Sequence, residues 1–360
     1  MTTRAIRVGS VKIGGGAPVS VQSMTNTPTK DAAATIAQIR ALADRGCEIV
    51  RLAVPDMASA EALHEIVPAS SVPLVADIHF NHELALRSIA AGIHAVRINP
   101  GNIGSGKKVA AVAEAAGNAN IPIRVGVNGG SLPEGLLEEK LTLFHGDHDR
   151  AMAAALCEAA HLETAQLEKC GFRDIAVSLK ASSVPVTVAA YRQFSAETDY
   201  PLHVGVTEAG TPYRGIIKSA AGIGALLLDG IGDTIRVSLT ADPCEEVKCA
   251  IALLESIGLR EARPEIVSCP TCARTAYDLL AMADKVETLV AQLHARKKQI
   301  KIKKIAVMGC VVNGPGEAKN ADIGVAGAGN GKLMLFRFGK PFATLPEAEA
   351  FEVLKQTLEE

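Results

Sequence analysis

The chain has 360 residues, 48% of them hydrophobic, and a formal net charge of −2. That length accommodates a large domain plus a small one, and the near-neutral balance excludes the global basic field of a nucleic-acid binder. Aromatic residues make up 3%, with no Trp, which also excludes a platform for stacking single-stranded bases.

The first residues, Met1-Thr-Thr-Arg-Ala-Ile-Arg7, lack the apolar core of a signal peptide. The most apolar stretch, Gly222-Ile-Gly-Ala-Leu-Leu-Leu228, is too short to span a bilayer. A soluble, cytoplasmic protein is expected. Its eight cysteines then point to thiols or metal ligands rather than disulfides. Cys47, Cys157, Cys170, Cys244 and Cys249 stand singly in helical or strand contexts and read as small buried hydrophobes.

From Val19 onward, short β-branched runs alternate with Ala-rich helical patterns. The strands predicted are 19–23, 48–53, 73–78, 95–98, 121–127, 175–179, 202–206 and 234–239. Helices are predicted at 31–45, 83–91, 151–169, 184–197 and 245–257, among others. Eight strand–helix units are the signature of an α/β (β/α)8 TIM barrel. A doubly wound sheet is disfavoured, because Gly14-Gly-Gly16 precedes the first strand instead of following it. The barrel is expected over residues 1–257, followed by a linker, 258–264, and a smaller α+β domain, 265–360. In that domain we predict a strand at 265–268, a helix at 276–294, a strand ending at Cys310, hairpins around 326–331 and 338–341, and a last helix at 345–358.

Barrel enzymes carry their chemistry at the C-terminal ends of the strands. Those ends hold Gln22, Arg51, Asp77 and His79, then Arg97, Asn99 and Asn102, then Arg124 and Asn128. The later strands add Ser178 and Lys180, His203, Thr207 and Glu208, and finally Arg236 and Ser238. A single strand-end arginine is as readily the partner of an inter-strand carboxylate. Four on one rim point to an anionic ligand, most simply phosphate, whose oxygens match the guanidinium fork. Gly215-Ile-Ile-Lys218-Ser219 is expected to form a loop near a helix start, adding Lys218, a hydroxyl and amides for phosphate. Residues 131–149 read as a solvated excursion, and His145, Asp147 and His148 within it as exposed residues rather than a metal cluster.

The small domain contains Cys269-Pro-Thr-Cys272 and Gly309-Cys-Val-Val-Asn-Gly-Pro-Gly-Glu317. The C-x-x-C spacing lets two thiolates converge on one metal. Cys310 ends a buried strand, and the Gly- and Pro-rich turn after it can swing Glu317 back toward the thiols. Three sulfurs and one carboxylate suit an iron–sulfur cluster or zinc, and spacing leaves that choice open.

Several long motifs closely resemble the 4-hydroxy-3-methylbut-2-enyl diphosphate synthases of the non-mevalonate isoprenoid pathway. They are Val21-Gln-Ser-Met-Thr25, Val75-Ala-Asp-Ile-His79, Arg97-Ile-Asn-Pro-Gly-Asn-Ile-Gly104, Val204-Gly-Val-Thr-Glu-Ala-Gly210, Gly230-Ile-Gly-Asp-Thr-Ile-Arg-Val-Ser-Leu239 and the two cysteine motifs. The resemblance covers essentially the whole chain, is poorest over 133–150, and fits the bacterial two-domain form. It implies a [4Fe-4S] cluster on Cys269, Cys272, Cys310 and Glu317, in a domain similar to those of sulfite and nitrite reductases. It also implies 2-C-methyl-D-erythritol 2,4-cyclodiphosphate as substrate, a ferredoxin or flavodoxin as electron donor, and a head-to-tail homodimer.

On that footing Arg51, Arg97, Arg124 and Lys180 are expected to hold the diphosphate, with Asn99, Asn128, His203, Lys218 and Ser238 beside them. Glu208 is the expected proton donor, Asp77, His79 and His203 are lesser candidates, and Glu317 is the replaceable cluster ligand. His203 reads equally well as a strand histidine hydrogen-bonded within the barrel. Two rival readings are a pterin-binding barrel transferase and a non-catalytic metal-binding scaffold. The first gives no reason for the thiol-bearing domain, and the second leaves the arginine rim idle.

Overall fold

The structure is a computed structural model, and it describes residues 2–260, 264–295, 300–312, 316 and 318–360. The expected turn at Asn313-Gly-Pro315, Glu317 and part of the expected linker lie outside the described residues. The chain divides into two compact units, residues 1–260 and 261–360.

The first unit opens with an antiparallel hairpin, β1 (Ile6–Val8) and β2 (Val11–Ile13). Then follow β3 (Ser20–Met24), α1 (Ala32–Asp44), β4 (Ile49–Ala53), α2 (Met57–Ala69), β5 (Leu74–Asp77), α3 (His82–Ala90) and β6 (Ala95–Ile98). Next come α4 (Pro100–Ile103), α5 (Gly106–Ala119), β7 (Ile123–Asn128), α6 (Leu136–Leu143), α7 (His148–Lys169), β8 (Ile175–Lys180) and α8 (Val184–Glu197). The unit ends with β9 (His203–Val204), α9 (Pro212–Leu228), β10 (Thr234–Ile235) and α10 (Pro243–Ser256). Strands β3 to β10 form one parallel sheet in the order β8-β7-β6-β5-β4-β3-β10-β9. A parallel bridge between Val177 and Leu202 brings β8 back to the β9 edge, so the sheet curls into a nearly closed barrel. The helices start where polar caps allow: Asp31, Asp56, Asp147, Ser183 and Asp242 each accept a backbone N–H of the helix that follows.

The hairpin was not among the predicted elements, and it has a structural task. Ile6, Val8 and Ile13 pack against Ile49, Val75, Ala95 and Ala176, which lie at or near the starts of four barrel strands. It therefore plugs the N-terminal mouth with apolar side chains and leaves the opposite mouth for chemistry. Residues 131–149 are also more ordered than expected. They contain α6, where Leu136 and Lys140, one turn apart, both turn inward, and Lys140 pairs with Glu158 on α7. His145, Asp147 and His148 are exposed, and Asp147 caps α7.

The last two barrel strands are shorter than predicted. Beyond Ile235 the Leu239 N–H turns to the Glu246 carboxylate at 3.0 Å, a side chain in place of a neighbouring strand. The Gly215–Ser219 stretch is not a loop but the first two turns of α9, begun by Pro212 at its N-terminus. Gly215 is there for close packing, since a Cβ would stand 2.6 Å from Leu239 Cδ2. Of the singly placed cysteines, Cys47 and Cys157 are buried and Cys244 and Cys249 half-buried. Cys170 is exposed at the end of α7.

The second unit is a five-stranded sheet in the order β11 (Glu265–Ser268), β12 (Lys304–Met308), β13 (Ile323–Gly329), β14 (Lys332–Arg337) and β15 (Lys340–Pro346). The first three strands are parallel and the last three antiparallel. The hairpin turns fall at Asn330-Gly331 and Phe338-Gly339, all with positive φ. Helices α11 (Leu279–Ala295) and α12 (Glu347–Glu359) bury Met282, Val286, Leu354 and Leu358 against Ile305, Val325 and Leu335 of one sheet face. Residue 345 ends in β15 instead of opening the last helix, because its backbone still pairs with Leu333. Among the described residues, no helix is long and apolar enough to cross a membrane.

Candidate active site

Strand register builds the site inside the first unit. Asp77 pairs with Arg97, and Arg97 with Arg124, so the three stand in one row across β5, β6 and β7. Residues in register on neighbouring strands share a face. Two residues before them on β5 and β6, Val75 and Ala95 belong to the apolar plug, so this row is the next tier of the same inward face. Arg124 Nη1 donates to Gln22 Oε1 at 2.5 Å. Because β7 and β3 are not neighbours in the sheet, that bond crosses the interior.

Two inward glycines make room for the cations. A Cβ on Gly126 would sit 2.3 Å from Arg97 Nε, and one on Gly205 would sit 2.9 Å from Lys180 Nζ and 2.6 Å from the Arg236 carbonyl. Asp77 lies between two guanidinia, 3.4 Å from Arg51 Nε and 3.2 Å from Arg97 Nη1. Burial alone would raise its carboxyl, but Arg51 and Arg97 overcome that and hold it below the ordinary aspartate range. Arg97 also donates to the Gly126 carbonyl at 3.0 Å and lies 3.4 Å from His79 Nε2.

The balance of charge is lopsided. Arg51, Arg97, Arg124, Lys180 and Arg236 act on one another, and Asp77 and Glu246 are the carboxylates that act on Arg51. Burial and its cationic neighbours lower Arg51 to about 10. The same causes, burial first, push Arg124 and Lys180 well below their usual values. His203, fully buried, is also pushed down, by burial and then Lys180, and it is neutral. Arg124 Nε and Nη2 and both ring nitrogens of His203 are buried without a hydrogen-bond partner among the described residues. Buried polar atoms without partners are costly, and a bound ligand could satisfy them.

The remaining predicted residues are more peripheral. Asn128 and Ser238 are half-buried, and Asn128 is in register with Lys180. Lys218 is half-buried in the second turn of α9. Glu208 is exposed in the loop after β9 with φ +52°, a left-handed conformation that a glutamate adopts at a cost.

Two carboxylates went unread in the sequence. Glu246 on α10 accepts from Ser23 Oγ at 2.9 Å, from Arg236 Nε at 3.2 Å and Nη2 at 3.3 Å, and from the Leu239 N–H. In sequence it looks like an ordinary acidic first-turn residue. Glu163 lies on the buried face of α7 near Asn99: a Cβ on Gly101 would lie 3.2 Å from Asn99 Oδ1 and 3.5 Å from Glu163 Oε1. Burial pushes Glu163 up to about 8 despite Arg97, so it is neutral at pH 7. Its signal was an acid in the apolar stripe of Leu156, Ala160, Thr164 and Leu167.

In the second unit the thiols gather at the ends of adjacent strands. Cys269 follows β11 and Cys310 follows β12, which run parallel in register. The Gly309 N–H donates to Cys269 Sγ at 3.2 Å, and the Ala276 N–H to the Gly309 carbonyl at 2.9 Å. Cys310 is buried, Cys269 half-buried and Cys272 exposed. Hydrogen bonds from Arg274 hold the Cys272 thiol below its usual range. The Tyr277 hydroxyl is buried without a partner among the described residues, close enough to Cys269 to feel its charge. Soft donors, an amide already aimed at one sulfur and an orphaned hydroxyl beside them fit an iron–sulfur group.

Known proteins agree with this division. The GcpE TIM-barrel domain matches residues 3–251, and the GcpE protein C-terminal domain matches residues 265–360. A protein of Geobacter sulfurreducens called 4-hydroxy-3-methylbut-2-en-1-yl diphosphate synthase (flavodoxin) is 51% identical over 352 residues, covering 98% of this chain and 96% of its own. One of the same name from Ruminiclostridium cellulolyticum is 50% identical, covering 99% and 97%. Among solved structures, a dihydropteroate synthase of Coxiella burnetii aligns over 70% of this chain and 98% of its own at 10% identity and a TM-score of 0.48, a similarity that carries no weight here. With both of its domains matched and relatives at half identity along nearly the full length, the chain belongs to the GcpE family.

Proposed function

We propose that this chain is an oxidoreductase that opens 2-C-methyl-D-erythritol 2,4-cyclodiphosphate reductively to 4-hydroxy-3-methylbut-2-enyl diphosphate. The observation that carries this reading is the cluster of buried cations with orphaned donors on Arg124, which calls for a ligand of high negative charge. The names of the half-identical relatives supply the product and the flavodoxin, and the sequence resemblance supplies the cyclodiphosphate. Arg51, Arg97, Arg124 and Lys180 bind the diphosphate, with Arg236 beside them, and Asn99, Asn128, Lys218 and Ser238 complete the shell. Asp77 works as the counter-ion that aims Arg51 and Arg97, since a carboxyl held below its usual range is a poor proton donor. Neutral His203 offers hydrogen bonds without adding charge.

Cys269, Cys272 and Cys310 would hold a [4Fe-4S] cluster with Glu317. When bound, the cluster supplies two electrons, received one at a time from a flavodoxin or ferredoxin. The ring C–O bond to phosphate breaks, the arginines and Lys180 stabilise the phosphate oxygen freed, and the substrate hydroxyl departs as water. Glu208, exposed beyond β9, delivers the proton that lets the hydroxyl leave as water. The test is anaerobic turnover of the cyclodiphosphate with reduced flavodoxin: production of the open diphosphate is expected, and a colourless, iron-free protein without turnover would overturn the reading.

A further inference from the structure

We propose that Cys157, His161 and Glu197 form a second metal site, for a divalent zinc ion, on the helical layer of the first unit. Cys157 and His161 are one turn apart on α7, so both project from one face. Glu197 is the last residue of α8, which packs against α7. Their donor atoms all lie within 4.8 Å of one another. His161 Nε2 is 2.6 Å from Glu197 Oε2, and Cys157 donates its S–H to the same oxygen at 3.4 Å. Gln193 Nε2 donates to Glu197 Oε1 at 3.2 Å, which leaves Oε2 for the thiol and imidazole. The His161 ring rests 4.8 Å from the Phe194 ring, which fixes its plane. A supporting partner for the carboxylate and a packed imidazole are the surroundings that orient ligands at metal centres.

The donor set names the ion. One sulfur, one imidazole nitrogen and one carboxylate oxygen are the ligand types zinc accepts, at roughly 2.0–2.3 Å. A thiol excludes magnesium and calcium, which demand oxygen. The sulfur is buried, while the His161 and Glu197 side chains are 40% and 43% exposed. Three protein ligands therefore leave a solvent-facing fourth position for water. Binding releases the Cys157 S–H proton to solvent, and His161 binds as the neutral imidazole. The thiolate and the carboxylate then offset the two charges of the ion. Without an ion, burial and Glu197 push the thiol up to about 12, so it stays protonated. This site is distinct from the Cys269, Cys272 and Cys310 set and does not depend on the function proposed above.

The test uses the full, cluster-loaded protein. It is equilibrated anaerobically with zinc and desalted, and zinc and iron are counted in the same sample. The expected result is one zinc per chain with iron unchanged, and a melting temperature that rises with added zinc. Cys157→Ser, His161→Gln and Glu197→Gln should each lose that zinc and the rise while keeping iron and turnover. Glu197→Gln, at an exposed position, serves if Cys157→Ser fails to fold. Zinc retained by all three variants, none bound by the wild type, or zinc gained only as iron is lost would each overturn the site.

Discussion

Arg124 reaches across the barrel to Gln22, and the rest of its guanidinium has no partner among the described residues. One hydrogen bond fixes the direction of a charge whose remaining donors are left for something else. A buried cation in that state is destabilising by itself. If the proposed anion binds here, it finds its donors already aimed.

The same logic makes anion binding a protonation event. Burial and the surrounding arginines push Lys180 well down in the ligand-free barrel, and a bound diphosphate offsets both causes and raises it again. Binding should therefore take up a proton in the pH window between the two values, and affinity should fall as pH rises through that window. Calorimetry with pyrophosphate, in two non-phosphate buffers of different ionisation enthalpy, measures the uptake directly. Lys180→Met should bind more weakly and show less of it.

Glu246 is predicted to be a positioning residue. It holds Arg236 and the Leu239 N–H and ties them to Ser23. Glu246→Ala leaves the half-buried Arg236 without its ion pair and should cost about 1–3 kcal/mol of stability. Glu246→Gln keeps the shape and should lower stability less, while weakening substrate binding more than it slows turnover at saturation. Thermal unfolding and a comparison of KM with kcat separate the two effects.

Gly126→Ala should act through Arg97. The new methyl group falls on the guanidinium, 2.3 Å from Nε, and must push it off Asp77 and the Gly126 carbonyl. Overpacking of this kind costs about 1–3 kcal/mol. Pyrophosphate affinity measured by calorimetry should drop with it, and an unchanged affinity would mean that Arg97 does not touch the ligand.

Glu208 trades stability for placement. Glu208→Gly removes the left-handed strain and should stabilise the protein by about 1 kcal/mol. If Glu208 delivers the proton, turnover should fall by about 10²–10⁴-fold with little change in KM. Chemical denaturation and steady-state kinetics on one preparation check both halves.

The head-to-tail homodimer that the sequence resemblance implies is testable by mixing variants. Lys180→Ala disables a barrel and Cys310→Ser disables a cluster domain, so each variant alone should be inactive. If one chain's cluster serves its partner's barrel, a mixed dimer contains one intact pair. Activity should then return when the two are exchanged together, whereas a cluster serving its own barrel predicts none.

Much of this was legible in the residues. The alternation of β-branched and Ala-rich runs fixes which segments are strands and helices, because that pattern is local. Arg51, Asp77, Arg97, Arg124 and Lys180 could be placed on strands two residues above small or apolar neighbours, because side chains alternate along a strand. Cys269-Pro-Thr-Cys272 and Cys310 stood out by type and spacing as candidate metal ligands. The sequence could not show that residues 6–13 plug one mouth, that Arg124 finds Gln22, or that Glu246 and Glu163 are buried among the site's own groups. It also could not separate Cys170, exposed, from Cys157, buried. Burial and charge–charge interactions are sums over neighbours that can lie more than two hundred positions apart in the chain, as Ser23 and Glu246 do. Only closing the barrel brings those neighbours within a few ångströms and decides which groups are desolvated, which are paired, and which are left for a ligand.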